Sequence, residues 1–247
     1  MTETRRAVYE AGIEELRNDV VTMSSMVDKA IARAIDSLKS QDAQLAAEVK
    51  AGDKEIDALR WDADDAAMTL IATQGPMAGD LRVIAASLQI FTDLERMGDY
   101  AVGVAKVVLK TIDEPLLKPL VDIPRMAQVA REMLADVTTA FIEGDADAAK
   151  VIAARDDEID DLYDQVLREL LTYMMSDPSV INRATHLLWA AHDVERIGDR
   201  VTNIAERITY MTSGEFVHLG GGRKKRQRAR DAAAAEAASA SNTSGLA

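Results

Sequence analysis

The chain predicts an all-α protein: two three-helix bundles in tandem, built on an internal repeat, with a disordered C-terminal tail. Three observations carry this. Alanine, leucine, valine, isoleucine, glutamate and aspartate dominate, and aromatic residues make up 4% against 48% hydrophobic, a mixture that favours helix over sheet. Apolar residues recur at helical spacing through long stretches that stop only at a few sites of turn chemistry. Two acidic phrases are also each written twice. DLERMGD at 93–99 returns as DVERIGD at 193–199, and DKEID at 53–57 returns as DDEID at 156–160.

Six long helical segments are expected, at 5–40, 42–74, 77–112, 124–143, 145–176 and 178–213. The breaks fall at Gly75-Pro76, in the proline-punctuated stretch Asp113–Arg125, at Gly144-Asp145 and at Asp177-Pro178. Pro76 and Pro178 suit a first helical turn, where a missing N–H costs nothing. Asp177 suits the N-cap before Pro178. Asp113–Arg125 separates two similar halves, so the first bundle is placed at 1–113 and the second at 124–217. Short connections make successive helices antiparallel neighbours. Met23 and Met26 read as core filling, and Trp61 and Trp189 as packing residues. From His218 the chain turns to three glycines, RKKRQRAR and an Ala/Ser-rich end, so 218–247 reads as a disordered tail.

Charge and composition exclude several classes. The net charge is −13, and residues 218–247 hold six basic and two acidic side chains, which leaves −17 on the body. Such a body repels nucleic-acid phosphates and suits cations or a basic patch on a protein partner. The tail's basic side chains could meet anionic lipid or this acidic body. No cysteine is present, so disulfides and thiolate-bound metal are excluded. No apolar run approaches the ~20 residues that span a bilayer, and MTETRRAVYE lacks the apolar core of a signal peptide. The expected location is the cytoplasm. Nothing resembles a nucleophile–base pair, a phosphate-cradling glycine loop or a dinucleotide fingerprint, so no enzyme is expected.

The repeated acids point to a cation. Val194, Ile197, Val201, Ile204 and Ile208 form one apolar stripe, and Leu94, Met97, Ala101, Val104 and Val108 form its counterpart. At ~100° per residue, Glu195 and Asp199 fall roughly 150° from that stripe, and Glu95 and Asp99 are offset in the same way. Each pair is spaced i, i+4 on one face, as are Asp53/Asp57 and Asp156/Asp160 on the preceding helices. Counting about 20 residues from each pair to the intervening turn, antiparallel packing brings the pairs level. Four carboxylates then face each other once per bundle, and crowded anions repel unless a cation neutralises them. Oxygen-only ligands suit magnesium, calcium, manganese or iron. Gly98 and Gly198 each cost ~1 kcal/mol of helix propensity relative to alanine. They leave room between the acids for an ion, its waters or a close helix. Arg96 and Arg196 are expected to pair with Asp93 and Asp193 three residues earlier. His192, three residues before Glu195, is expected to be a surface or packing residue, and His186 and His218 carry no constellation.

GPMAGDLRVIAASLQIFTDLERMGDYAVGVAK (75–106), HDVERIGDRVTNIAE (192–206) and the two EID phrases resemble the PhoU family, regulators of bacterial phosphate uptake, over about residues 5–213. The resemblance implies tandem three-helix bundles that bind metal ions, often in clusters, through E/DxxxD motifs. The ligands it implies are Asp53, Asp57, Glu95 and Asp99 in the first half and Asp156, Asp160, Glu195 and Asp199 in the second. Iron, manganese, magnesium or zinc are the candidate ions. The family phrase often carries an asparagine four residues after its second acid. Asn203 supplies it and joins the expected ligands, whereas Gly103 replaces it in the first half, so the first site is expected to be weaker. The resemblance further implies a non-catalytic adaptor. Its partners would be the ATPase subunit of a Pst-type phosphate transporter and a phosphate-responsive sensor histidine kinase, both restrained when phosphate is plentiful. It implies a homodimer that meets the membrane only through these partners. Two alternatives stand beside it. A di-iron enzyme needs Glu-x-x-His from two helices, and His192 precedes Glu195 in the reverse order. A plain helical scaffold would use the acids only for solvation.

Overall fold

The computed structural model describes residues 3–220, with side chains from residue 6. Among these residues every regular element is helical: α1 (Glu3–Ser40), α2 (Ala43–Gln74), α3 (Gly79–Thr111), α4 (Asp122–Glu143), α5 (Ala146–Ala153), α6 (Asp156–Ser176) and α7 (Ile181–Ser213). A single 3-10 turn, Pro178–Val180, leads into α7.

Local chemistry sets the ends. Asp42 caps α2 by accepting from the Leu45 N–H at 2.9 Å, and Asp145 caps α5 by accepting from Asp147 and Ala148. These side chains satisfy amides that have no partner within the helix. Asp177 is a cap as expected, accepting from Ser179 at 2.9 Å, although the turn it starts is 3-10 before it becomes α-helical. Gly75 and Gly144 close α2 and α4 with φ of 58° and 67°, a left-handed conformation that glycine adopts without a Cβ clash.

The expected fifth helix is interrupted. Ala154 and Arg155 form a turn between α5 and α6, and Arg155 is held there by Asp136 at 3.0 Å and Glu132 at 2.8 Å on α4. The turn re-aims the chain so that Asp156 opens a new helix. The connection at 112–121 is likewise pinned. Lys118 is buried and pairs with Glu169 on α6, and Gln41 donates to the Glu114 carbonyl at 2.7 Å.

α1, α2 and α3 pack together in the first half, and α4, α5, α6 and α7 in the second; the most extensive helix pair is α3 with α7, across the halves. α1 also meets α4, where Arg131 grips both Asp28 oxygens at 2.7 and 3.0 Å. The buried apolar residues form a continuous core: Phe91, Leu94, Met97, Ala101 and Val104 of α3 join Val194, Ile197, Val201 and Ile204 of α7. Both expected stripes are therefore buried. Met23 is fully buried and Met26 partly so. Trp61 and Trp189, expected to pack, are instead 64% and 49% exposed. Each lies under a cation, Arg60 for Trp61 and Lys110 for Trp189, so the rings cover basic stems rather than fill the core.

Residues 218–220, expected to belong to the tail, pack against α7. Residues 214–220 fold back on α7: Phe216 stacks on Tyr210 with centroids 4.2 Å apart, and the Leu219 N–H donates to Glu206 at 2.8 Å. The remainder, 221–247, lies outside the described residues.

Because one core spans both halves, Phe91→Ala in α3 and Phe141→Ala in α4 should each lower the same unfolding transition. The cost should be about 3–5 kcal/mol in either case. Urea unfolding followed by circular dichroism checks this; two separated transitions would show that the halves are independent.

Candidate metal centre

Each half brings its four repeated acids together. In the first, α2 carries Asp53 and Asp57 and α3 carries Glu95 and Asp99. Burial pushes the Asp53 carboxyl up to about 6, and Asp57, Asp99 and Glu95 add to the rise, against an opposing effect from Lys106. Glu95 is raised by burial and then by Asp99, with Arg60 opposing. In the second half, α6 carries Asp156 and Asp160 and α7 carries Glu195 and Asp199. Burial pushes Asp156 up to about 7, followed by Asp160, Asp199 and Glu195. The same positions therefore interact in both repeats, and each set is an anion cluster in partly dehydrated surroundings.

Gly98 and Gly198 show why the helices can come so close. A Cβ at Gly98 would stand 3.2 Å from Asp53 Oδ1 and 3.2 Å from Ile56 Cδ1. A Cβ at Gly198 would stand 2.7 Å from Asp156 Oδ1 and 2.8 Å from Ile159 Cδ1. Each glycine is thus a socket. The first acid of the preceding helix lies against it, and an isoleucine three residues on fills the remaining space.

Among the described residues, no three His, Asp or Glu side chains as placed converge into a finished coordination set. The donor chemistry nevertheless fits a hard cation. Every donor is a carboxylate, the helices hold them level, and the glycine socket fixes the approach of one from each pair.

The first acid of each long phrase does something different. Asp93 is buried, and it accepts from Arg200 at 3.3 Å and from the Asn203 amide at 3.2 Å, both on α7. Burial raises its pKa, and Asn203 and Arg200 offset part of the rise. Asp193 lies opposite Gly103 on α3, where a Cβ would meet its Oδ2 at 2.2 Å. Burial pushes Asp193 up to about 6, opposed by His192, Arg196 and Lys106.

Two expected ion pairs, Arg96 with Asp93 and Arg196 with Asp193, are corrected here. Asn203, expected as a ligand beside Asp199, donates from its amide nitrogen to Asp93 of the other repeat, which leaves its amide oxygen unused by that bond. The residue that pairs with Asp93 is Arg200 of α7, not Arg96. Arg196 donates to Tyr100 Oη at 2.8 Å and lies over that ring, although its charge also reaches Asp193. Gly103 is accordingly a matter of helix packing: it makes room for Asp193. The sequence held a signal for this, since both phrases open with aspartate, but side-chain direction across α3 and α7 is not visible in one dimension. His192 is half exposed, with Nδ1 3.4 Å from Glu195 Oε2.

Fold and site together define a tandem helical-bundle protein with one carboxylate cluster per repeat. The PhoU domain family model matches the chain twice, at 20–108 and 123–208. The chain belongs to the PhoU family. It is 42% identical over 205 residues to the phosphate-specific transport system accessory protein PhoU homolog of Aquifex aeolicus, covering 83% of this chain and 93% of that one. It is 35% identical over 214 residues to the accessory protein PhoU of Escherichia coli, covering 86% and 89%. The crystal structure of PhoU from Pseudomonas aeruginosa superposes with a TM-score of 0.80 at 33% identity, covering 84% of this chain and all of that one. No described helix is long and apolar enough to cross a membrane.

Two predictions follow from the clusters and their sockets. Gly103→Ala should destabilise by about 1–3 kcal/mol through overpacking against Asp193, more than the ~1 kcal/mol that alanine returns in helix propensity. Gly198→Ala should cost less, and Gly98→Ala should be near neutral. Urea unfolding ranks the three, and a reversed order would refute the socket geometry. The second concerns pH. Asp156 is raised from 3.8 to about 7 in the folded chain, so the unfolded chain releases this proton first as pH climbs. Metal-free protein should therefore lose this group's stabilisation between about pH 4 and pH 7. Asp156→Asn removes the effect, so its advantage over wild type should grow through that window to roughly 2 kcal/mol and then level off. Thermal unfolding in chelator across pH measures it, and a constant difference would refute the assignment.

Proposed function

We propose that this chain is a cation-dependent regulatory adaptor of a phosphate-specific transport system. The reading is supported most directly by membership of the PhoU family across both repeats, with relatives named as accessory proteins of that system. On this reading it restrains the transporter through its ATPase subunit, and also a phosphate-responsive sensor histidine kinase, when phosphate is plentiful. It works in the cytoplasm as a homodimer and reaches the membrane through these partners.

The two carboxylate clusters support the cation part. Asp53, Asp57, Glu95 and Asp99 would hold an ion in the first half, and Asp156, Asp160, Glu195 and Asp199 in the second. The bound charge would neutralise the cluster and draw α2 to α3 and α6 to α7. Iron, manganese, magnesium and zinc are the candidate ions. Lys106, Arg60 and Arg96 lower the need for a cation at the first cluster. Arg196 acts in the same way on Glu195 and Asp199 of the second cluster, where Asp156, the most strongly raised, gains most from a cation. Relatives named as transport accessory proteins support an adaptor over an enzyme.

Two measurements test the two parts. Deleting the gene should switch on phosphate-starvation reporters in phosphate-rich medium, and unchanged repression would count against the regulatory role. Glu195→Gln with Asp199→Asn should lower metal stoichiometry and abolish the thermal stabilisation that manganese gives the second site by mass action. In chelator the double variant should be as stable as wild type or slightly more so, because repulsion is relieved. A variant that binds as much metal as wild type would remove these carboxylates from the ligand set.

A further inference from the structure

The pairing of α3 with α7 has an outward side as well as a buried one. Contacts across it run antiparallel along both helices. Lys110 lies over the Trp189 ring, Asp193 faces Gly103, Arg196 donates to Tyr100 and Arg200 donates to Asp93. The apolar stripes of the two helices point the other way, into the core. The outward seam is therefore one continuous surface. From Trp189 to Arg207 along α7 it extends about 27 Å.

This surface differs in sign from the body around it. Arg96 falls between Asp93 and Tyr100 at helical spacing. Lys106 acts on Asp193, and Arg207 acts on Asp93. With Lys110, Arg196 and Arg200 these cations outnumber the carboxylates of the seam, Asp93 and Asp193. Elsewhere guanidinium groups are already used: Arg33 by Glu48, Arg125 by Glu158, and Arg155 by Glu132 and Asp136. Arg96, Lys106 and Lys110 are exposed and, among the described residues, belong to no ion pair. Acid rows border the stripe on both sides. Lys106 acts on Asp53 of the first cluster as well as on Asp193, and Asp199 and Glu195 of the second cluster act on Arg196. Across α2, α3, α7 and α6 the face reads acidic, basic, acidic. Its residue types are those that anchor protein partners, since Arg, Tyr and Trp dominate interface hot spots. Arg196 lies over Tyr100, and the half-exposed ring of Trp189 ends the stripe.

We infer that the outward α3–α7 seam docks an acidic helical segment of a protein partner, about 18 residues long. Its carboxylates meet the basic stripe, its flanking basic residues meet the bordering acid rows, and an apolar residue at one end covers Trp189. The body's net −17 repels an acidic segment elsewhere, so the sign pattern selects both the partner and its line of approach. A nucleic-acid duplex or an anionic membrane is broader than the stripe and would set phosphates against the acid rows. Residues 221–247 of the chain itself, with six basic and two acidic side chains, carry the wrong sign. The inference rests on the adaptor reading for its biological role, but not for the docking itself.

The probe is a synthetic helix of about 18 residues. It carries a row of glutamates at helical spacing, lysines on either side of that row and a phenylalanine at one end. A peptide of the same composition in scrambled order is its control. Fluorescence anisotropy with the full chain at physiological salt should show the patterned helix binding about tenfold more tightly than the scrambled one. Arg96→Glu with Lys106→Glu should remove that advantage, and Trp189→Ala should weaken binding several-fold. Lys29→Glu with Lys50→Glu, on α1 and α2, should leave it unchanged. A helix with its lysine and glutamate positions exchanged should bind the seam double variant more tightly than wild type, a gain that an unfolded variant would not give. Equal binding of patterned and scrambled helices, or unchanged affinity in the seam variants, would overturn the proposal. So would tighter binding of a short DNA duplex or of phosphatidylserine vesicles that the same variants abolish. In cells the seam double variant should derepress phosphate-starvation reporters much as gene deletion does. Normal repression by that variant, where deletion derepresses, would remove the seam from the partner surface and leave the adaptor reading standing. If deletion itself changes nothing, the adaptor reading fails while the peptide still decides the docking.

Discussion

Crowding of like charge is the constraint around which this chain is arranged. Each repeat holds four carboxylates on two antiparallel helices, close enough for burial and mutual repulsion to drive one of them into the neutral pH range. An isolated pair of helices would splay under that repulsion. The helices stay together because their opposite faces are committed to a core that runs without interruption through α3 and α7. Apolar burial on one side thus pays for an electrostatically unfavourable surface on the other. A group that is costly when empty is one that gains most from a cation.

The two repeats solve the same problem unequally. In the first, Lys106, Arg60 and Arg96 act on the cluster and moderate it. In the second, Arg196 acts on Glu195 and Asp199, and Asp156 is raised further than Asp53. The glycine sockets follow the same order, since the approach at Gly198 is tighter than at Gly98. The seam between repeats is also asymmetric. Asp93 finds Arg200 and Asn203 across it, whereas Asp193 finds the open space of Gly103. Asp93, which is buried, is satisfied by hydrogen bonds; Asp193, half-buried, is accommodated where α3 carries no side chain. Related sequence therefore does not mean equivalent sites.

The architecture itself was legible in one dimension. The repeated phrases, the apolar stripes and the capping residues determined the helices, their antiparallel order and the pairing of acids between neighbours, because helical periodicity converts spacing directly into faces and heights. Family membership was carried by the same phrases. Tertiary structure decided what spacing cannot express. Arg155 breaks the fifth helix because two acids on α4 hold it. Trp61 and Trp189 remain outside because basic stems, not the core, cover their rings. Asn203 donates to Asp93 of the other repeat, and the segment after Gly214 returns along α7, because both depend on which element stands opposite. Periodicity assigns a residue to a face of its own helix; only the packing of one helix on another determines which group that face meets.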